Sequence, residues 1–379
     1  MIPRLLIGLL LLLPGLAGAV EAPPALQLPV RSFLLEDFYS GRVLAEQAAD
    51  ERMEPASITK LMTAYVVYQA IEEGRVKPAD LVTISEKAWR MEGSRMFVEV
   101  GTQVSVEDLI RGMVIQSGND ATVALAEHTA GSEGAFAALM NREAVRLGLT
   151  NTHFVNSSGL PDPQHYTTAR DIATLVRALI RDFPNHYSEY AVRDFTYNGI
   201  TQHNRNRLLW QDQSVDGVKT GHTSSAGFCL AASAKRGDMR LISVVLGAKS
   251  EQERFSTSQE LLNYGFRFFE TYKLYAAAET LATTRVWKGS TDSLPLGLAE
   301  DLYVTIPRGQ YEQLQASMQI APGIEAPVQQ GAPLGSVRIT LNDATVANPP
   351  LVAKQDVNQG GLVRRLYDQG LLMFNSLIE

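Results

Sequence analysis

Three short motifs contain the residue types that serine-based acyl transfer requires. The first places Ser57 and Lys60 three residues apart, the second contains Ser117 and Asn119, and the third begins with Lys219. Each motif alone would be weak evidence, because patterns this short occur by chance, but the three in this order are a far stronger signal. Together they predict a serine nucleophile that is activated by a lysine and not by a histidine.

The first motif suits this chemistry because residues three apart on a helix lie on one face. The hydroxyl of Ser57 and the amine of Lys60 are therefore expected within hydrogen-bond reach. Lys60 can accept the serine proton only when its amine is neutral, which burial and a neighbouring cation both favour by lowering its pKa. Lys219 is the expected cation. The start of the helix would also favour an oxyanion beside Ser57.

The second motif, Ser-Gly-Asn at 117–119, lies between two helical patterns and is predicted to be a short loop. Loops held by rigid helices often carry functional side chains. We expect Ser117 to pass a proton toward a leaving amine, and Asn119 to contact both Lys60 and the amide of a substrate.

The third motif, Lys-Thr-Gly at 219–221, lies at the end of an apolar strand. Thr220 would donate its hydroxyl to a carboxylate. Gly221 would leave room for a substrate backbone that adds along the strand edge.

The composition of the whole chain limits the possible functions. At 379 residues, with 45% hydrophobic and 20% charged residues, it is long enough for about two globular domains. Its formal charge of -7 and the lack of a dense Lys/Arg stripe argue against nucleic acid as a partner. Cys229 is the only cysteine, and the six histidines form no zinc-binding motif, so neither a metal nor a cofactor is expected.

The N-terminal residues 1–19 are typical of a secretory signal peptide. Arg4 precedes an apolar run at 5–13, and Ala-Gly-Ala at 17–19 provides small residues for cleavage. The apolar run is too short to cross a bilayer, so the pattern predicts export.

Hydrophobic periodicity divides the remaining chain into a large α/β domain, a smaller β domain and a terminal helix. Strands are predicted at 31–36, 42–45, 215–220, 228–233 and 241–247, and helices at 57–73, 106–113, 121–128, 135–147, 169–182 and 260–272. Strands at both ends with helices between them predict an α/β fold over 24–280, in which an antiparallel sheet is flanked by helices.

Residues 281–358 change to short alternating segments punctuated by proline, which predicts an all-β domain. Residues 361–379 follow as an amphipathic helix with an unusually wide apolar half. This helix is predicted to lie on a membrane surface; the alternative is that it docks onto the β domain.

The three motifs and their order resemble the penicillin-recognising serine acyltransferases. The Ser-Gly-Asn form of the second motif resembles low-molecular-weight D-alanyl-D-alanine carboxypeptidases of the penicillin-binding protein 5 and 6 type. The resemblance covers nearly the whole chain and implies a β-lactamase/transpeptidase-like domain, a small β-sandwich and a membrane-associated helix. It also implies that Ser57 is acylated by peptidoglycan stem peptides, with release of D-alanine, and by β-lactam antibiotics. The location implied is the periplasm, peripheral on the outer face of the inner membrane.

The resemblance also implies roles for particular residues. Lys60 would be the acylation base, and Ser117 and Asn119 would complete the site. The substrate strand would be lined by Lys219, Thr220, Gly221, His222 and Thr223, and the backbone N–H groups of Ser57 and His222 would form the oxyanion hole. Arg254 falls where the family places a carboxylate-binding arginine, although it could equally be a surface arginine in a charged stretch.

Two alternative functions share these motifs. A serine β-lactamase would have the same nucleophile and differ mainly in how fast its acyl-enzyme is hydrolysed. A noncatalytic peptidoglycan-binding or penicillin-sensing protein would keep the pocket without needing Ser57.

Overall fold

The computed structural model describes residues 25–375. The predicted signal peptide at 1–19 and the last four residues lie outside this range. Within it the helices are α1 (Lys60–Glu72), α2 (Glu86–Trp89), α3 (Val106–Arg111), α4 (Asn119–Ala130), α5 (Glu133–Arg146), α6 (Ala169–Asp182), α7 (Pro184–Tyr187), α8 (Leu208–Gln211), α9 (Glu251–Phe268) and α10 (Leu362–Asn375).

The strands alternate with these helices in the first part of the chain and are consecutive in the second. They are β1 (Ser32–Asp37), β2 (Val43–Gln47), β3 (Leu81–Thr83), β4 (Gln103–Ser105), β5 (Asp194–Tyr197), β6 (Ile200–His203), β7 (Val215–Thr223), β8 (Gly227–Arg236), β9 (Met239–Ala248), β10 (Phe269–Tyr275), β11 (Ala282–Arg285), β12 (Ser293–Gly297), β13 (Leu302–Pro307), β14 (Leu314–Ile320), β15 (Pro333–Leu341), β16 (Ala344–Ala347) and β17 (Pro350–Ala353).

The first domain is built on a five-stranded antiparallel sheet in the order β2-β1-β9-β8-β7. Side chains of β1 alternate between two cores, because successive residues of a strand point to opposite faces. Leu34 packs with the helices of the central lobe, whereas Phe33 and Leu35 pack toward α9. The predicted α/β fold, a sheet flanked by helices, is confirmed.

Several helices begin at a serine or threonine that accepts a hydrogen bond from a backbone N–H of the first turn. Ser105, Ser132, Thr168 and Ser250 cap α3, α5, α6 and α9 in this way. Such caps contribute about 1 kcal/mol each. The capping role that the sequence predicts for Thr168 is confirmed.

The second domain is all-β, as the sequence predicts. One sheet has the order β11-β12-β17-β15-β14 with β16 paired to β15, and a second sheet consists of β10 and β13. Both sheets contribute to one apolar core that includes Val304, Val337 and Leu351. Asn342 and Asp343 have positive φ angles in the turn between β15 and β16, as a tight hairpin turn requires.

The helix predicted at 260–272 is displaced in the structure. It begins at Glu251 and ends at Phe268, and Phe269–Tyr275 form a strand paired with β13. The aromatic run at 266–269 fits either element, and long-range pairing with β13 decides in favour of a strand. By this pairing β10 belongs to the second domain, although the sequence-based boundary leaves it in the first.

The two domains meet at the turn between β1 and β2. Tyr39 stacks on Tyr303 with ring centroids 4.8 Å apart, and Ser40 Oγ lies 2.6 Å from Thr305 Oγ1. Thr271 Oγ1 donates to Asp37 Oδ2 at 2.7 Å. The hairpin turn predicted around Tyr39 is thus also the attachment point of the β domain.

The terminal helix α10 attaches to the β domain by its polar face. The carboxylate of Asp368, only 2% exposed, accepts hydrogen bonds from Arg285 at 3.0 Å and from the backbone N–H of Lys288 at 2.6 Å. Arg364 pairs with Asp292 on the same side. No helix within residues 25–375 has the length and apolar character needed to cross a membrane.

Candidate active site

Ser57 lies in a single 3₁₀ turn, Ala56–Thr59, that leads directly into α1. Lys60 is the first residue of α1, and its Nζ lies 3.0 Å from Ser57 Oγ. The two functional groups therefore meet as the three-residue spacing predicts, although Ser57 itself is in the 3₁₀ turn and not in the α-helix.

Lys60 is almost completely buried, with 1% of its surface exposed. Its amine also contacts Asn119 Oδ1 and the carbonyl oxygen of Ser158, each at 2.7 Å. Burial lowers the pKa of Lys60 to about 7, and the carboxylate of Asp120 opposes this shift. Burial, rather than the charge of Lys219 expected from the sequence, is the main cause of this lowered pKa.

Ser117 and Asn119 are positioned by an irregular end of helix α3. The chain continues from α3 as a π-helical turn at 112–116, and Ser117 then adopts a left-handed conformation with φ +70°. Single π turns and left-handed residues other than glycine are uncommon and cluster at functional sites. Ser117 Oγ is buried and has no hydrogen-bond partner among residues 25–375, so it is available to a substrate.

Asn119 is oriented by the loop that faces it. Its Nδ2 donates to the carbonyl oxygen of Glu92 at 2.6 Å, which turns Oδ1 toward Lys60. The predicted contact between Asn119 and Lys60 is therefore present in the structure.

Asp120 is a supporting residue of the site that sequence reasoning missed. Its buried carboxylate accepts backbone N–H hydrogen bonds from Met96 and Phe97, both at 2.8 Å, and a longer one from Val98 at 3.3 Å. These bonds hold the loop at 94–98 against the start of α4. Its position directly after the Ser-Gly-Asn motif was the available signal.

Lys219 and Thr220 lie on β7, which is an edge strand of the sheet. Burial holds the pKa of Lys219 well below its ordinary value, and the positive charges of Lys60, Arg254 and Arg205 lower it further. Within the described residues no strand pairs with the outer side of β7, which is the arrangement that strand addition by an extended peptide requires.

Gly221 meets a packing requirement that the sequence did not predict. A Cβ at this position would lie 2.9 Å from the carbonyl oxygen of Pro55 and 3.2 Å from the Cβ of Ala56. Glycine is required here because β7 packs closely on the turn that carries Ser57.

His222, Thr223 and Arg254 line the same cleft as Ser57. The ring of His222 stacks on Phe228 with centroids 4.0 Å apart. Arg254 is buried, donates to the carbonyl oxygen of Gly221 at 3.2 Å and pairs with Glu251 at 3.2 Å. The surface-arginine alternative for Arg254 is therefore excluded.

The cleft has a volume of about 490 Å³ and brings the predicted residues together. Those that line it are Ser57, Ser117, Asn119, Thr220, Gly221, His222, Thr223 and Arg254. The two predicted lysines, Lys60 and Lys219, are buried beneath it. Within the described residues no cluster of His, Cys, Asp or Glu could hold a metal ion.

A buried histidine, also missed by the sequence reasoning, supports the nucleophile turn from behind. His165 Nδ1 accepts from the backbone N–H of Val155 at 3.1 Å, so Nε2 carries the proton and donates to Thr59 Oγ1 at 2.8 Å. Burial lowers the pKa of His165 to about 4, which keeps it neutral. Gly159 completes this support, because a Cβ there would lie 1.8 Å from the carbonyl oxygen of Ala56.

This fold and this serine–lysine arrangement define a penicillin-recognising serine enzyme. Residues 18–250 match the family model for D-alanyl-D-alanine carboxypeptidase, peptidase S11, and residues 269–359 match the penicillin-binding protein 5 C-terminal domain. The D-alanyl-D-alanine carboxypeptidase DacC of Escherichia coli (strain K12) is 47% identical over 364 residues, which are 94% of this chain and 90% of that protein.

Solved structures agree with the sequence comparison. Penicillin-binding protein 5 from Haemophilus influenzae superposes with a TM-score of 0.85 at 42% identity, covering 89% of this chain and all of that one. Penicillin-binding protein D2 from Listeria monocytogenes in its ampicillin-bound form superposes with a TM-score of 0.60 at 31% identity, covering 64% of this chain and 99% of that one. The chain belongs to the D-alanyl-D-alanine carboxypeptidase family, peptidase S11, as the motifs predict. The predicted enzyme class, a serine-type D-Ala-D-Ala carboxypeptidase, is confirmed.

Proposed function

We propose that this carboxypeptidase removes the terminal D-alanine of peptidoglycan stem peptides through an acyl-enzyme on Ser57. The observation that carries the assignment is the 3.0 Å contact between Ser57 Oγ and the buried amine of Lys60, whose pKa is about 7. An amine with this pKa is poised near the pH at which a general base works best.

In the acylation step, neutral Lys60 takes the proton of Ser57 as its Oγ attacks the carbonyl carbon of the penultimate D-alanine. The ester bond to Ser57 forms, and the C–N bond to the terminal D-alanine breaks. The proton reaches the leaving nitrogen through the unpartnered hydroxyl of Ser117. Water then hydrolyses the ester and frees the shortened peptide.

Substrate would be held as an added strand along the free edge of β7. The backbone N–H groups of Ser57 and His222 would stabilise the oxyanion. The N–H of Ser57 belongs to the first residues of a helical turn, which have no partner within it, and that of His222 belongs to the edge strand β7. Thr220 and Arg254 would hold the terminal carboxylate, with Thr223 beside them in the cleft. A β-lactam would acylate Ser57 by the same attack, since its strained amide replaces the scissile bond.

The activity is tested with a pentapeptide ending in D-Ala-D-Ala and, separately, with a labelled penicillin. The protein should release D-alanine and become labelled, and Ser57→Ala should do neither. Exchange of a serine outside the cleft, Ser188→Ala, is the matched control. D-alanine release that persists in Ser57→Ala would overturn the mechanism, and fast penicillin turnover without D-alanine release would indicate a β-lactamase.

We further propose that the enzyme works outside the cytoplasm, on the outer face of the inner membrane, with α10 resting on the bilayer. The polar face of α10 is occupied by the β domain through Asp368 and Arg364. Its apolar residues point away from the protein, with Val363 83% exposed and Phe374 61% exposed. An exposed apolar helix face of this kind suits insertion into a membrane interface. Export by residues 1–19 would bring the site to the peptidoglycan.

A chain that ends at Gly360 tests the role of the helix. The mature full-length chain should sediment with anionic phospholipid vesicles, and the shortened chain should stay in the supernatant while still releasing D-alanine. Equal sedimentation of the two chains would contradict membrane association through α10.

A further inference from the structure

A second cavity of about 720 Å³ adjoins the catalytic cleft, and we call it the side cavity. Two residues, Arg205 and Glu251, line both spaces, so the two are direct neighbours. The rest of its wall is mainly amide and aromatic, and includes Gln116, Gln202, Gln211 and Trp210. Such a wall fits a chain that is apolar along its length and polar at its end.

The side cavity lies next to the residues assigned to the leaving group. Gln116 directly precedes Ser117, which passes the proton to the leaving nitrogen in the proposed mechanism. Glu251 pairs at 3.2 Å with Arg254, which would hold the carboxylate of the leaving residue. A side chain on the leaving residue would therefore extend toward this space.

The charges around the side cavity favour an anion. Arg207 Nε lies 3.6 Å from Glu251 Oε1, so the negative charge of Glu251 is partly compensated. The guanidinium of Arg205 makes no hydrogen bond or ion pair with any residue between 25 and 375. An uncompensated guanidinium at the junction of the two spaces is suited to a carboxylate.

The indole of Trp210 supplies the apolar surface. It is exposed, and the guanidinium of Arg193 lies over its ring at 5.7 Å. Arg193 also donates to the carbonyl oxygen of Leu209 at 2.6 Å, which fixes it beside the indole. A side chain of several methylenes could pack on this ring before it reaches Arg205.

We propose that the side cavity binds the side chain of a leaving D-residue longer than D-alanine, with a preference for chains that end in a carboxylate. This inference rests on the proposed function, and the chemistry is unchanged. The ester to Ser57 forms, the C–N bond to the longer D-residue breaks, and its nitrogen receives the serine proton. The enzyme therefore accepts a wider set of leaving residues than D-alanine alone.

The test compares acylated D-Ala-D-X peptides in which X is D-alanine, D-α-aminoadipate, D-norleucine or D-lysine. The kcat/KM for release of X is measured with each. D-α-Aminoadipate should be released about fivefold faster than D-norleucine, and D-lysine more slowly than either, since an exposed charge pair contributes up to about 1 kcal/mol. Ratios between substrates are used because they cancel any general loss of activity in a variant.

Two variants locate the effect. Arg205→Met should abolish the preference for D-α-aminoadipate over D-norleucine. Trp210→Ala should lower kcat/KM for release of both of these residues relative to release of D-alanine. The control Arg142→Met, an exposed arginine on α5, should leave all ratios unchanged. The inference is overturned if D-alanine is released but the longer residues are not, or if Arg205→Met keeps the preference. Failure to release D-alanine from the peptide that ends in D-Ala-D-Ala would instead contradict the proposed function.

Discussion

The floor of the catalytic cleft and the terminal helix depart from ordinary side-chain placement in opposite ways. In the floor, the ionisable amines of Lys60 and Lys219 are buried. In α10, the apolar side chains of Leu366 and Phe374 are exposed while the charged Asp368 is buried. Charged residues are rarely buried without partners, and a contiguous exposed apolar face usually marks an interaction site.

In each region, specific contacts maintain the unusual placement. Lys60 keeps three polar contacts that replace part of its lost hydration, from Ser57, Asn119 and Ser158. Asp368 satisfies its carboxylate with Arg285 and Lys288, and so leaves the apolar face of α10 free. Burial of a charge therefore serves two purposes here. In the cleft it tunes a pKa, and in the helix it fixes an orientation.

Removing the amine in the cleft floor should have the largest effect. Lys60→Met keeps most of the side-chain volume but removes the base, and general base catalysis contributes roughly 10²–10⁴-fold. The second-order rate constant for acylation by a labelled penicillin should therefore fall about 10³-fold.

The control for this prediction is Lys235→Met, which changes an exposed lysine on β8. It should acylate at the parental rate. Circular dichroism and thermal melting establish that Lys60→Met is folded. A folded Lys60→Met protein that acylates at the parental rate would show that another group activates Ser57.

The depressed pKa of Lys60 predicts the pH dependence of acylation. The base acts only when neutral, and its pKa is about 7, so the neutral fraction falls about tenfold for each pH unit below this value. The acylation rate constant should rise with pH and level off above about 7. His165 does not interfere above pH 5, because its pKa is about 4. A rate constant that is unchanged between pH 5 and 8 would show that Lys60 is not the titrating base.

The sequence predicted the elements whose signals are local. The spacing of Ser57 and Lys60 placed both groups on one turn, and Thr168 marked the start of α6. Amphipathic periodicity gave the major helices of the first domain, and strand alternation gave Val215–Thr223 and its neighbours. These features depend on residues close in sequence, so periodicity and capping rules find them.

Features that depend on distant segments were not predicted. Asp120 holds a loop more than twenty residues away, and His165 supports a turn more than one hundred residues away. The requirement for Gly221 arises from contact with Pro55. Likewise, Phe269–Tyr275 form a strand because β13 pairs with them. In each case tertiary contacts decide the role of a residue whose local pattern is ambiguous.

Charging the exposed face of α10 should weaken membrane binding. Leu366, 66% exposed, would lose its insertion into the bilayer as Leu366→Glu, and burying a leucine contributes about 2 kcal/mol. The vesicle partition coefficient should therefore fall about thirtyfold. Met318→Glu, which alters a half-exposed apolar side chain on β14, is the matched control and should bind as the parent does. Equal partitioning of the Leu366 variant and the parent would exclude this face from the membrane.

The smallest expected effect comes from neutralising the buried charge of α10. Asp368→Asn keeps the size of the side chain but loses the ion pair with Arg285 and weakens the hydrogen bond from the backbone N–H of Lys288. The lost charge-assisted bonds are worth about 1 kcal/mol at this partly exposed pair, so backbone amides of α10 should exchange with deuterium about fivefold faster in the absence of vesicles. Amides of α1 should be unaffected, and Asp343→Asn, in an exposed turn of the same domain, should leave α10 unchanged. If exchange in α10 is the same in Asp368→Asn as in the parent, the helix is held by its remaining contacts. In that case burial of Asp368 does not orient the apolar face, and the parallel with the buried lysine of the catalytic cleft fails.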